Sequence, residues 1–127
     1  MTRSERGGAT LHVLFAAVLL FTALVAATLW SAVSTARHRL TAAADLTALS
    51  AAQSLTASQY VDPDEPHAAI TPPKTPCETA ARTAALNKVQ LTACQVTSTA
   101  VTVQVSLQLD LRFTQPTMTS IARAGPV

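Results

Sequence analysis

The chain has 127 residues, enough for one small domain plus an anchor. Hydrophobic residues make up 49%, yet the aromatics are only one Trp, one Tyr and three Phe. Alanine, valine and leucine supply the rest, and alanine buries little surface, so a core of this composition is thin. The formal charge of +2 comes from scattered residues, with no basic run and no aromatics interleaved with basic residues, which excludes a nucleic-acid interface.

Residues 1–8 form a basic leader carrying Arg3 and Arg6, and residues 7–36 contain no Asp, Glu, Lys or Arg. Within that gap, Leu11–Trp30 reads LHVLFAAVLLFTALVAATLW. Twenty helical residues at ~1.5 Å each cover ~30 Å, the thickness of a bilayer's hydrocarbon layer. Trp30 at one end suits the headgroup level. Gly7 and Gly8 are expected to precede the helix, so the transmembrane segment is placed at residues 9–36. The rest of the chain is too small to cover such a helix on all sides, which argues against a buried core helix. A cleaved secretory signal is the alternative, because Ser34, Thr35 and Ala36 are small residues suited to a cleavage site. The apolar run exceeds the ~7–15 residues of an ordinary signal core, which favours a retained anchor. Ala23, Ala27, Ser31 and Thr35 recur every fourth residue on one face, a spacing that lets helices approach closely in a bilayer.

Arg37–Gln59 contains no Pro or Gly and is rich in alanine and leucine, so a juxtamembrane helical extension is expected over residues 37–59. If the helix does not break, it runs from about Ala9 to Gln59, a rod of ~75 Å. Leu46 and Leu49 share a face, with Ala42, Gln53 and Leu55 nearby, making a narrow apolar stripe. Such a helix needs a partner to be stable in water: a small domain, another copy, or another protein. Asp45 is a candidate contact with a partner subunit, or simply a solvated charge.

Arg37, Arg39 and the following Leu40-Thr41-Ala42-Ala43-Ala44-Asp45-Leu46-Thr47-Ala48-Leu49-Ser50-Ala51-Ala52 stand directly after the apolar helix. This arrangement resembles the TadE/TadG-like proteins of Flp (type IVb) pilus assembly, whose corresponding stretch looks like Leu-Gln-x-Ala-Ala-Asp-x-Ala-Ala-Leu-Ala-Ala. Arg6-Gly7-Gly8-Ala9-Thr10 is similar to their Arg-x-Gly start. The likeness covers residues 6 to 55 well and the remainder loosely, through a helix and strand bounded by two cysteines. It implies a pilin-like body with a long N-terminal helix, membrane insertion, an exported C-terminal domain, and work beside a secretion ATPase and platform proteins. Pilin-type processing would cut between Gly8 and Ala9. The sequence departs from the family pattern there, because Val13 occupies the position where such peptidases prefer glutamate.

Tyr60–Pro76 holds five prolines, which exclude a helix or a central strand, so residues 60–76 read as a linker. His67 lies in it among acidic residues. The chain has only three histidines, and the other two, His12 and His38, lie at the membrane segment. A structural zinc needs about four ligands, so no metal is expected.

Residues 77–113 read as a small helix plus two strands. Cys77–Asn87 favours a short helix, with Thr75 and Pro76 ahead of it and Glu78 in its first turn. Leu91–Val96 is β-prone. Cys77 and Cys94 flank this unit, and on the exported side of a membrane they are expected to form a disulfide, the alternative being two unlinked thiols. Val101–Phe113, VTVQVSLQLDLRF, alternates apolar and polar at every position, the strongest strand signal in the chain. A two-stranded hairpin is marginal alone, so its apolar side is expected to lie on a helix, through Leu86, Val89 and the juxtamembrane end of the long helix. A long unpaired edge would remain, and Leu107 is the candidate residue through which this edge or face meets a partner. Residues 114–127 carry no readable signal and are expected to form a flexible tail.

The expected fold class is α+β: a long transmembrane helix continuing into a juxtamembrane helix, then a small disulfide-linked domain. The chain shows no Gly-rich phosphate loop, Gly-x-Ser-x-Gly, His-Glu-x-x-His or Cys-x-x-Cys. No enzymatic activity, cofactor or small-molecule substrate is therefore expected. The expected partners are the membrane and other pilus or secretion-system subunits, or further copies of the chain. Positive charges at the two ends of the apolar run nearly tie. The cysteine pair, proline-rich loop and polar strands suit the exported side, which places the N-terminus in the cytoplasm. The alternative function is a small secreted effector or ligand released by cleavage near Ala36. A membrane accessory protein that regulates a neighbouring complex is a third.

Overall fold

The computed structural model describes residues 5–59 and 75–125. The chain divides into two compact units, Met1–Thr35 and Ala36–Val127. Helix α1, Glu5–Gln59, contributes to both. In order follow α2 (Pro76–Leu86), β1 (Gln90–Val96), β2 (Val101–Gln108) and β3 (Thr117–Ala124). The fold is α+β, as the sequence predicts.

In the first unit the helix takes in Gly7 and Gly8 and does not start after them. Thr10 Oγ1 donates to Gly7 O at 3.1 Å, and His12 Nδ1 lies 2.7 Å from Gly8 O, so side chains close this first turn.

The second unit, the head, is a three-stranded antiparallel sheet in the order β1-β2-β3, with helices on one face. Its core joins Leu40, Ala43, Ala44, Ala48 and Ala51 of α1 to Ala80 and Ala84 of α2, Val89, and Val101, Val103 and Val105 of β2. Alanine on the helices is what makes this possible: without long side chains at the contact, α1 and α2 can lie close to each other and to the sheet. Burying Val101, Val103 and Val105 contributes about 1.5–3 kcal/mol each. Thr47 is also fully buried, and its hydroxyl donates to Ala43 O at 2.7 Å. Ser50 Oγ donates to Thr83 Oγ1 at 2.9 Å, a direct tie between α1 and α2.

This burial reverses the expected face of the juxtamembrane helix. Leu46 and Leu49 are 51% exposed, and the smaller residues go inward. Leu86, expected to cover the sheet, is 76% exposed, whereas Val89 is buried as expected.

α2 begins one residue earlier than expected, and Pro76 belongs to the helix rather than the linker. Thr75 is the N-cap: its hydroxyl accepts from Glu78 N at 3.2 Å, while Thr75 N donates to the Glu78 carboxylate at 3.0 Å. This capping box satisfies two backbone donors at once, and proline suits the first helical position because its missing N–H has no helical partner to lose. Residues 60–74, the bulk of the predicted linker, lie outside the described residues. At the other end Lys88 has φ 58°. Lys88 N donates to Ala85 O and Val89 N to Ala84 O, both at 3.0 Å, the two bonds of a Schellman ending.

Cys77 and Cys94 form a disulfide, with Cα atoms 5.9 Å apart and a sequence separation of 17. It joins the first turn of α2 to β1 and contributes on the order of 3 kcal/mol by constraining the unfolded chain. A bulge helps place Cys94. Leu91 pairs with Val105 and Cys94 with Val103, yet residues three apart normally face opposite sides of a sheet. The register shifts between Leu91 and Ala93, so both side chains share the core face.

The period-two run at 101–113 is a regular strand only over Val101–Gln108, shorter than expected; the remainder leads into a hairpin turn. Regular pairing of β2 with β3 ends at Gln108↔Thr117, and Leu109 N then donates to Pro116 O at 3.0 Å. Leu111 and Thr114 exchange bonds of 3.1 and 2.8 Å around the two-residue turn Arg112–Phe113. Two expectations are corrected here. Residues 114–127 are not a featureless tail, because they include β3. β2 has no unpaired edge, because β1 and β3 flank it. The inward positions of β3 are Met118, Ser120, Ala122 and Ala124, opposite Leu107, Val105, Val103 and Val101. Small and polar inward residues, with Ile121 facing outward, hide the alternation that marks a strand. After β3, Gly125 lies so close to the preceding loop that a Cβ there would overlap Thr99 O.

Candidate functional site: a bare apolar helix and an alanine-packed head

The first candidate surface is the apolar half of α1. Its hydropathy averages 2.4 in the most apolar window, and none of that window is buried. A core helix of a water-soluble protein would be mostly covered, so burial excludes that reading and supports a single-pass membrane anchor. Backbone groups within the helix are satisfied internally, as a hydrocarbon environment requires. Thr22 and Thr28 cap their own hydroxyls on Leu19 O and Val25 O, at 2.9 and 2.8 Å, so their polarity costs little there. Trp30 is among the exposed residues at the end of the run.

Ala23, Ala27, Ser31 and Thr35 are all exposed on this helix. Gly8 and Ala9 are both exposed helical residues, so Gly8 belongs to the helix rather than to the leader expected over residues 1–8.

The second surface belongs to the head. Asp45 is exposed. Leu107 is half-buried on the central strand and packs against the core. It therefore has an internal role, which reasoning from a free edge did not foresee. The sheet's edge strands are β1 and β3, and Leu46 and Leu49 of α1 stand outside the core. Sequence reasoning also missed the Arg112–Phe113 turn. Neither residue has positive φ, so neither needs the Asn or Gly that signals a hairpin. Among the described residues there is no group of three or more His, Cys, Asp or Glu side chains that could hold a metal ion.

With this geometry in hand, comparison with known proteins is specific in one place. The family described as "Putative Flp pilus-assembly TadE/G-like" matches residues 7–54. The match covers the apolar helix and the alanine-rich helix that enters the head's core. It coincides with the stretch whose residues resemble that family. No curated protein and no solved structure shows a significant match. Residues 7–54 are thus similar to a family described as associated with Flp pilus assembly, and the same stretch holds the apolar helix.

Proposed function

We propose that the protein is a pilin-like structural component of an Flp (Tad-type) pilus or a related secretion assembly. The observation that carries this reading is the family match over residues 7–54, which spans both the bare apolar helix and the first helix of the head. The work is assembly rather than catalysis. Residues 9–36 insert in the membrane with the N-terminus in the cytoplasm. Ala23, Ala27, Ser31 and Thr35 give a neighbouring helix close approach. The head, closed by the Cys77–Cys94 disulfide, stands on the exported side, where oxidation is favoured. Asp45 and the exposed part of Leu107 are candidate contacts with other subunits or with further copies.

A second reading has its own support. The boundary between the two units falls between Thr35 and Ala36, beside the small residues that suit signal cleavage. Ala36 is also buried, so the head begins to pack at that residue. Cleavage there would release a secreted α+β protein. N-terminal sequencing of the mature protein decides between the two. A start at Met1 or Thr2 is the expected result for an anchor, and a start at Ala9 marks pilin-type processing. A start near Arg37 overturns the anchored reading.

A further inference from the structure

We propose that the β2–β3 turn is a lipid-contacting tip, with Phe113 at the boundary of headgroups and acyl chains and Arg112 on the phosphates of an anionic bilayer. The inference rests on the membrane anchor of the preceding section but not on pilus assembly.

Phe113 is 96% exposed, the most exposed of the head's large hydrophobic residues. It is not on a loose loop. The paired bonds of Leu111 and Thr114, and that of Leu109 to Pro116, hold the turn at the end of a continuous ladder. A rigid turn that presents a bare aromatic ring needs an apolar environment to be favourable.

The head itself shows where this turn lies. One groove of about 400 Å³ is lined by Arg37, Leu40 and Thr41 of α1 and by Thr117–Ser120 of β3. Another groups Leu49, Ala52, Gln53 and Thr56 with Arg123–Gly125. β3 therefore runs alongside α1 in the same direction, and its beginning lies at the Arg37 end. The β1–β2 loop lies at the opposite end, where Gln59 Nε2 approaches Ser98 O at 3.5 Å. The hairpin extends about three residue pairs beyond Thr117, roughly 10 Å further toward the Arg37 pole.

Chain connectivity keeps that pole within reach of a bilayer that holds the apolar run. Arg37 follows Trp30, at the end of the apolar run, by seven positions, and even a fully extended chain over that step spans at most about 25 Å. The pole is also basic. Arg37, Arg39 and Arg112 belong to it, and Lys88 joins them just before β1, whose first residue Gln90 pairs with Ser106 beside the hairpin arm. Asp110 is the acidic residue near the turn. Such a charge suits an anionic surface, where each Lys or Arg contributes about 1 kcal/mol. A basic residue beside an exposed aromatic is the pattern of an interfacial contact. A hydrophobic protein pocket would accept Phe113 equally well, but would not by itself call for basic residues at the same end of the head.

The test uses the full chain in nanodiscs of phosphatidylglycerol and phosphatidylethanolamine. Trp30→Phe combined with Phe113→Trp leaves one tryptophan, at the tip. Because residue 113 is almost fully exposed, this change does not disturb the core. Lipids brominated on the acyl chain are expected to reduce its emission about twofold, and aqueous iodide to have little effect. Ile121→Trp in the Trp30→Phe background is the control, expected to respond to iodide and not to bromolipid. Adding Arg112→Glu to the tip variant is expected to weaken the bromolipid effect. Full quenching of the tip by iodide, as in the control, overturns the proposal. So does shielding from both quenchers that grows with the number of chains per disc, which would assign the tip to a second copy. Retention in the discs is read separately. A chain that is retained with a solvent-exposed tip loses only this inference, and a chain that is not retained loses the anchor as well.

Discussion

Residues 11–33 and residues 36–55 lie on one helix, yet their surroundings differ. The first stretch exposes Leu, Val and Phe on every side. The second exposes Leu46 and Leu49 and buries Leu40 together with most of its alanines. In a bilayer, large apolar residues gain by contact with lipid, and any face of the helix will do. In the head, the tolerance belongs to volume: α1, α2 and the sheet come close because the residues between them are small. Hydrophobicity decides the first region and size decides the second.

The largest effect should come from charge. Val103→Asp places a carboxylate where exposure is 0%, and is expected to cost more than about 4 kcal/mol and abolish the protease-resistant head. Val18→Asp should leave the head folded in detergent and instead impair membrane insertion, by about 2.5–3.5 kcal/mol. Limited proteolysis and membrane extraction read these two outcomes separately. If both variants lost the head, the two regions would not be independent in the way described.

Replacing both Cys77 and Cys94 by alanine should lower the head's stability by about 3 kcal/mol, read as the denaturation midpoint of the full chain in detergent, with helicity of the apolar segment unchanged. A midpoint equal to that of the wild type would show that core packing alone determines the head.

A smaller effect isolates volume. Ala44→Leu adds bulk at a position with no exposure, and is expected to destabilise the head by about 1–3 kcal/mol. Ala17→Leu makes the same chemical change on an exposed helix position and should be neutral in thermal unfolding and in insertion. Equal behaviour of the two variants would sink the contrast between hydrophobicity and size.

The smallest effect has the opposite sign. Lys88 carries a left-handed backbone at the end of α2. Lys88→Gly relieves that conformation and should stabilise the head by about 0.5–1 kcal/mol, measured as a higher midpoint.

The apolar run, its lack of charge and its length predict a membrane-crossing helix with no tertiary information, because that outcome depends on composition over twenty residues. The Thr75–Pro76–Glu78 start, the β1 segment and the alternation of 101–113 are legible for the same reason: each is a local preference. So is the resemblance carried by residues 6 to 55. Tertiary structure decided the rest. It chose the alanine face of α1 over the leucine face, because the fit of a helix against a sheet depends on the space opposite it, which no single segment encodes. It made a strand of TMTSIARA, whose inward side chains are mostly small or polar and so carry no period-two signal, because β2 supplies the backbone partners and Leu107, Val105, Val103 and Val101 the apolar surface. It paired the edge expected to stay open on β2, and placed Arg112 and Phe113 at the end of the hairpin. Composition can say that a segment must leave water; only the assembled fold says which residues meet, and which are left for a partner.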